Sequence, residues 1–310
     1  MLKRKIDVMY RLFASCVAAG TLLLAQSGLA QDNSQGRYRP DGRQIAAEIS
    51  RMFGERLYEV RTYDPEPAVE EFSAATIFYP LTLSFAPPIG AVALVPGYGQ
   101  SASNYEWWGP MLASFGYAVM IIDTNTPQDG LEARSQALMA AVDFLRNENG
   151  EADSPIEGRL DATKIAIMGH SIGGGASLQA AQNLGGDDIG AVIPLTPYCC
   201  ELGQSFSGSL ADQDVPTLIF ASAEDTVAPP ADHARLLYDA IAGSTSKVYA
   251  EFATGDHMLA TSSGGDLTTL GRYAMAFLKY HLDGQPQYEE VVYGNQGDYA
   301  ERFADYEASR

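Results

Sequence analysis

The residues best able to do chemistry in this chain centre on Ser171, within the pentapeptide Gly-His-Ser-Ile-Gly at 169–173. A Gly-x-Ser-x-Gly pattern is typical of a nucleophilic serine held on a tight turn between a strand and a helix. The apolar run before it, 164–169, favours a strand, and the small residues of 172–184 favour a helix. The pattern alone also fits a glycine turn with an incidental serine, but its position between these elements favours a nucleophile.

A serine hydroxyl becomes a good nucleophile when a neighbouring base accepts its proton. His257 lies in a loop directly after a predicted strand, at the sheet edge where Ser171 also lies, so it is the predicted base. His170 is adjacent to the serine, and neighbouring side chains on such a turn point apart. His233 and His281 fall in predicted helices, where we expect them at the surface.

The base needs a carboxylate that holds its tautomer and stabilises its charge. Asp225 follows the predicted strand 216–222 and therefore reaches the same edge of the sheet. Glu224 is the neighbouring alternative, and Asp256 stands too close to His257 to reach its far nitrogen easily. A cap on the following helix is the other role open to Asp225. The pattern favours Ser171, Asp225 and His257 as a catalytic triad.

Ester or amide hydrolysis also needs N–H donors for the developing oxyanion. The residue after the nucleophile, Ile172, supplies one such backbone N–H. The loop 95–100 follows a buried strand and contains two glycines, which allow the N–H of Tyr98 to turn inward. This placement also puts the Tyr98 ring at the wall of the cleft.

These residues require a sheet whose strand ends meet at one edge. Strand-like and helix-like segments alternate from about residue 59 to residue 282. The predicted strands cover 74–79, 90–96, 117–123, 164–169, 189–195, 216–222 and 247–252. The predicted helices cover 103–115, 131–147, 172–184, 230–242 and 267–282. Strands joined by helices pair in parallel, so the sequence predicts an α/β fold with a doubly wound sheet and helices on both faces.

The predicted catalytic domain covers 59–283 and shows no internal repeat. A polar segment, 31–58, precedes it, and a tail, 284–310, follows it. Parts of both flanking segments could be loose, although the aromatic residues of the tail indicate that it docks at least partly.

Residues 1–30 have the layout of a secretory signal peptide. A basic start precedes an apolar run, 12–25, and small residues occupy positions 28 and 30. The run is shorter than the roughly 20 residues that span a bilayer, which favours cleavage over a short membrane anchor. We therefore expect a secreted or periplasmic protein with no membrane association after cleavage.

The net charge of the 310-residue chain is −19, from 20 Lys and Arg against 39 Asp and Glu. Residues 1–30 hold four of the basic residues and one acidic residue, so their removal makes the charge −22. A charge of this sign argues against nucleic acid and against anionic membranes as partners.

Two adjacent cysteines, Cys199 and Cys200, remain after signal removal. They are either two thiols or a local vicinal disulfide, and without clustered partners they make a poor metal site. We expect neither a metal nor another cofactor.

Several motifs, in one order along the chain, resemble the bacterial cutinases and PET hydrolases. These are polyester hydrolases of the α/β-hydrolase fold, close to dienelactone-hydrolase-like esterases. The resemblance implies Ser171, Asp225 and His257 as the triad, with Tyr98 and Ile172 as oxyanion donors. The motifs that carry it are Pro96-Gly97-Tyr98, Trp107-Trp108-Gly109-Pro110, Ile122-Asp123-Thr124-Asn125, Gly169–Gly175, Pro216–Phe220 with Glu224-Asp225, and Ala228-Pro229.

No insertion between the predicted strands is long enough for a substantial lid, so we expect an open cleft lined by Tyr98, His170, Tyr198 and Met258. Tyr198 stands where the family has a tryptophan, and Ile172 stands where methionine is usual. The family's C-terminal disulfide has no counterpart. Trp107 and Trp108 are expected to pack within a helix rather than to contact substrate.

The sequence therefore predicts a secreted, monomeric serine carboxylic-ester hydrolase. Its substrates would be polyesters or short- to medium-chain esters, with aromatic polyesters such as PET among the candidates. A lipase or a small-ester esterase would use the same triad. A noncatalytic binding module on a hydrolase scaffold is the alternative outside the enzymes.

Overall fold

The computed structural model describes residues 41–66, 69–81, 88–199 and 210–310. These residues belong to one compact unit, Arg39–Arg310. The predicted signal peptide and Cys200 lie outside the described residues.

Strands and helices alternate through most of the described chain. The strands are β1 (Glu59–Tyr63), β2 (Phe72–Leu81), β3 (Ile89–Val95), β4 (Ala118–Thr124), β5 (Leu160–His170), β6 (Ala191–Leu195), β7 (Thr217–Ser222), β8 (Lys247–Phe252) and β9 (Phe303–Ser309). The helices are α1 (Gly42–Phe53), α2 (Trp108–Ser114), α3 (Leu131–Glu148), α4 (Ile172–Leu184), α5 (Ala234–Ala240), α6 (Leu267–His281) and α7 (Glu289–Tyr293).

The strands form a single mixed sheet in the order β1-β2-β4-β3-β5-β6-β7-β8-β9. The six central strands, β3 to β8, pair in parallel. Strands β1 and β2 on one side of them and β9 on the other side pair antiparallel. The predicted doubly wound, mostly parallel sheet is therefore confirmed. Its parallel strands bring their carboxyl ends to one edge, where Ser171, Asp225 and His257 follow β5, β7 and β8.

The core has two apolar layers, one on each face of the sheet. In β3, Val92 and Leu94 point into the layer beneath α1, α2 and α6. Ala91, Ala93 and Val95 point into the layer beneath α3, α4 and α5. Alternate residues of one strand are thus buried on opposite faces, which explains why this strand is apolar throughout.

Three of these elements, helices α1 and α7 and strand β9, lie outside the limits 59–283 predicted for the catalytic domain. Helix α1 begins after Asp41, whose carboxylate accepts the N–H of Arg43 at 3.0 Å, and it buries Ile45 and Ile49. Strand β9 pairs with β8 along its length. Both flanking segments therefore contribute ordered elements to this unit. No helix in the described ranges is long and apolar enough to cross a membrane.

Candidate active site

Ser171 lies between the last residue of β5 and the first residue of α4. Its backbone has φ +58° and ψ −124°, a conformation that a non-glycine residue rarely adopts. The turn is held by hydrogen bonds: Ser171 N–H donates to the carbonyl of Leu195 at 3.0 Å, and its own carbonyl accepts from Gly174 and Tyr198, each at 2.8 Å. These contacts keep the serine at the carboxyl edge of the sheet.

Close packing requires the two glycines of the pentapeptide. A Cβ atom at Gly169 would collide with the backbone of Gly173. A Cβ atom at Gly173 would collide with the carbonyl of Pro96 in the loop after β3. The strand, the turn and the helix can approach one another this closely only without these side chains.

The structure brings Ser171, His257 and Asp225 together in one chain of hydrogen bonds. The Oγ atom of Ser171 lies 2.7 Å from Nε2 of His257, and Nδ1 of His257 lies 2.7 Å from Oδ2 of Asp225. All three residues are buried, with Ser171 and His257 each 8% exposed. Because a carboxylate accepts, Nδ1 carries the proton, and Nε2 is left to accept the proton of the serine hydroxyl.

The surroundings of Asp225 favour its ionised form. Burial alone would raise the pKa of this carboxyl, but the hydrogen bond from His257 and the N–H groups of Ala228 and Val227 outweigh that effect and lower the pKa. The two N–H groups reach Oδ1 at 2.8 and 2.9 Å. One carboxylate oxygen is thus bound by the loop and the other holds the imidazole, so Asp225 both caps the loop and orients His257.

The two other carboxylates near His257 have different partners. Glu224 accepts the N–H of Gly255 at 2.9 Å, and Asp256 accepts the N–H of Met258 at 2.8 Å. Both therefore shape the loop that carries His257. Neither is bonded to the imidazole ring.

The loop after β3 is held by a buried arginine that sequence reasoning missed. Arg134 of α3 is fully buried and donates to the carbonyls of Pro96, Pro127 and Asp129 at 2.8 to 2.9 Å. The N–H of Gly99 donates to the same Pro127 carbonyl at 2.7 Å. A five-donor guanidinium can bridge several carbonyls at once, which fixes the backbone on both sides of Tyr98. Arg134 stands on a predicted helix with no local signal that its partners would be loop carbonyls.

Of the four residues predicted to line the cleft, three are at least partly exposed and one is buried. Tyr98 is 50% exposed, and Tyr198 and Met258 are partly exposed. His170 is only 1% exposed, so its prediction as a cleft residue is wrong. Its ring turns away from the serine into the interior, where both ring nitrogens have partners. Ile172 begins α4 beside the serine and is buried.

Two other histidines also differ from expectation. His233 is buried, accepts the N–H of Cys199 at 3.1 Å, and stacks on Tyr198 with ring centres 4.5 Å apart. His281 is partly buried and lies 2.7 Å from the hydroxyl of Tyr293. Neither is the surface residue that its place in a predicted helix suggested. His233 directly precedes α5 and is covered by Tyr198, and His281, at the end of α6, is covered by Tyr293 of α7. Cys199 is buried and disulfide-bonded.

Trp107 and Trp108 are buried, in agreement with their predicted packing role. Both indole N–H groups donate to the carbonyl of Ala260 at 3.0 Å. They therefore anchor the loop that carries His257. The described residues contain no group of three or more His, Cys, Asp or Glu side chains that could hold a metal ion.

Comparison with known proteins places this geometry in a family. A family model described as PET hydrolase-like matches residues 47–309. The chain is 36% identical over 225 residues to the bis(hydroxyethyl) terephthalate hydrolase of Streptomyces coelicolor, covering 73% of this chain and 67% of that protein. It is also 36% identical over 221 residues to cutinase est1 of Thermobifida alba, covering 71% of this chain and 69% of that protein. For cutinase 2 of Thermobifida cellulosilytica the identity is again 36% over 221 residues, covering 71% of this chain and 78% of that protein. The chain therefore belongs to the PET hydrolase-like family.

Proposed function

We propose that this protein is an exported serine carboxylic-ester hydrolase that cleaves polyesters or short- to medium-chain esters through an acyl-enzyme. The observation that carries the proposal is the hydrogen-bonded chain from Ser171 through His257 to Asp225. A serine so paired with a neutral imidazole has the geometry of an activated nucleophile.

In the first half of the reaction, Oγ of Ser171 attacks the ester carbonyl carbon while Nε2 of His257 takes the hydroxyl proton. Asp225 stabilises the imidazolium that forms, because the lowered pKa of its carboxyl keeps it ionised. His257 then gives the proton to the departing alkoxide, and the alcohol leaves.

The developing oxyanion is bound by the backbone N–H groups of Tyr98 and Ile172. This role suits Tyr98 because Arg134 and the Pro127 carbonyl hold the loop on either side of it. In the second half, water loses a proton to His257 and attacks the acyl carbon. Collapse of that intermediate returns the proton to Ser171 and releases the acid.

The substrate class is supported by the relatives and by the surface beside the serine. The relatives' names include cutinases and a bis(hydroxyethyl) terephthalate hydrolase. Tyr98 is 50% exposed and Val227, two residues beyond Asp225, is 52% exposed. An apolar surface next to the nucleophile suits a bulky apolar acyl group. The pattern of residues 1–30 supports export, and we propose that the mature chain acts as a monomer outside the cytoplasm.

The test uses Ser171→Ala with a short p-nitrophenyl ester and a polyester film. We expect turnover of both substrates to fall by at least about 10³-fold, and a fluorophosphonate probe to label the wild type but not the variant. Thr226→Ser is the matched control, because it alters a hydroxyl residue next to the triad that has no proposed chemical role. Turnover of Ser171→Ala near the wild-type value would overturn the mechanism. A wild type active only on the soluble ester would point to a small-ester esterase.

A further inference from the structure

His170 is buried directly behind the proposed nucleophile. The hydroxyl of Tyr105 lies 2.6 Å from its Nδ1, and the backbone carbonyl of His257 lies 2.7 Å from its Nε2. A carbonyl only accepts hydrogen bonds, so Nε2 of His170 must carry the proton. Nδ1 then accepts a hydrogen bond from the hydroxyl of Tyr105. Both Tyr105 and His170 are 0–1% exposed, so water does not compete for these bonds.

The chain of hydrogen bonds continues beyond Tyr105. Its hydroxyl oxygen accepts the N–H of Gly97 at 3.2 Å, one residue before the proposed oxyanion donor Tyr98. The donors therefore point in one direction, from Gly97 to Tyr105, from Tyr105 to His170, and from His170 to the carbonyl of His257. Two side chains, those of Tyr105 and His170, thus connect the backbone of the loop after β3 to the backbone of the loop after β8.

Packing leaves little freedom to this connection. A Cβ atom at Gly97 would stand 2.8 Å from Nδ1 of His170 and 3.0 Å from Cβ of Ser171. The rings of His170 and Tyr105 have centres 5.4 Å apart, and those of His170 and His257 are 5.0 Å apart. The imidazole of His170 thus fills the space between the oxyanion loop, the nucleophile and the base.

Resting on the function proposed above, we propose that His170 is a positioning residue that couples the oxyanion loop to the catalytic base through Tyr105. It does not touch the substrate. It holds the backbone of His257 at one end and, through the Tyr105 hydroxyl, the backbone before Tyr98 at the other.

This role requires an imidazole that stays neutral, because a protonated ring has no acceptor for the Tyr105 hydroxyl. Burial and, to a smaller extent, the neighbouring His257 ring lower the pKa of His170 to about 3. The hydrogen bond to the carbonyl of His257 and the charge of Asp225 act in the opposite direction and raise the pKa, while Arg134 lowers it. The ring therefore keeps one donor and one acceptor across the neutral range.

The test is a double-mutant cycle of Tyr105→Phe and His170→Phe, with kcat expressed per active site titrated by a fluorophosphonate. We expect Tyr105→Phe to lower kcat about tenfold, with KM within about twofold. We expect the double variant to be no slower than His170→Phe alone, because both changes break the same chain. His170→Gln can donate to one partner and accept from the other, so it should recover most of the kcat that His170→Phe loses.

Tyr117→Phe is the matched control. Tyr117 is also fully buried, and its hydroxyl donates to Asp283 at 3.0 Å, at the opposite edge of the sheet. It should lose stability like Tyr105→Phe but keep the wild-type kcat per titrated site. The proposal is overturned if Tyr105→Phe matches this control, if the losses in the cycle multiply, or if the Gln and Phe variants of His170 are equally slow. A wild type that neither turns over esters nor reacts with the probe would instead overturn the proposed function.

Discussion

At the scale of single residues, the space between Gly97, His170 and Ser171 sets how closely the oxyanion loop approaches the nucleophile. A methyl group at position 97 would meet Nδ1 of His170 at 2.8 Å and Cβ of Ser171 at 3.0 Å. Such contacts are closer than van der Waals distance, and the imidazole is buried and held by hydrogen bonds at both ring nitrogens. The loop itself must therefore shift when position 97 gains a side chain.

Gly97→Ala is accordingly expected to lower kcat/KM for a p-nitrophenyl ester by at least about tenfold, because donors displaced from the oxyanion lose much of their effect. Steady-state kinetics with active-site titration measures this loss. Gly243→Ala is the control, since a Cβ atom there has no neighbour within 4 Å. Equal activity of the two variants would contradict the packing argument.

The triad could be predicted because each of its members directly follows a strand of a parallel sheet. Parallel pairing then places Ser171 and His257 at the same edge although they stand 86 residues apart, and the loop after β8 reaches back past β7 and β6 to the serine. The partner of His170 could not be found in the same way. Tyr105 lies in a connection between β3 and α2, and no rule of spacing predicts that its hydroxyl reaches an imidazole 65 residues away.

At the scale of elements, the central strands and the helices between them were predicted in the right order, but several bounds differ: the strand predicted at 164–169 covers Leu160–His170, and the helix predicted at 230–242 covers Ala234–Ala240. Helix α4 and strand β8 have the predicted bounds 172–184 and 247–252. Helix α1 and strand β9 were missed because each buries few large apolar residues. In strand β9 only Phe303 is buried, and most of its order comes from backbone pairing with β8, so the aromatic residues of the tail predict docking but not a strand.

The packing of α6 against α7 introduces a group that opposes folding in acid. Burial lowers the pKa of His281, at the end of α6, to about 4, and its titratable neighbours on the two helices are Tyr280 and Tyr293. The unfolded chain binds a proton at this residue below about pH 6.5, whereas the folded chain does so only below about pH 4. Stability is therefore lost as the pH falls through this window.

We expect His281→Gln to reduce that loss, because glutamine does not titrate but can still bond the Tyr293 hydroxyl. At most one proton is involved, so the slope of unfolding free energy against pH should decrease by up to about 1.4 kcal/mol per pH unit between pH 6.5 and 4. Urea unfolding at several pH values measures the slope. Identical slopes for the wild type and the variant would show that His281 is not buried as a neutral group.

At the scale of the whole molecule, the dominant feature is acidic charge. The full chain carries −19, and removal of residues 1–30 makes this −22. Local ion pairs compensate little of it. Arg235, for example, lies 2.8 to 3.3 Å from Asp239, Asp305 and Glu307, but all three carboxylates are about half exposed. Exposed pairs of this kind contribute about 0–1 kcal/mol each, so the summed repulsion among the remaining carboxylates decides the response to salt.

Added salt should therefore stabilise the mature chain and raise its activity. The Debye length falls from about 30 Å at 0.01 M to about 3 Å at 1 M, which screens repulsion across the molecule more than it screens contacts of 3 Å. We expect the melting temperature and the turnover of a neutral p-nitrophenyl ester to rise between 10 mM and 1 M NaCl. Sucrose of equal osmolality is the control, because it favours compact states without screening charge. A flat or falling profile in NaCl, or an equal rise in sucrose, would mean that charge repulsion does not limit this protein.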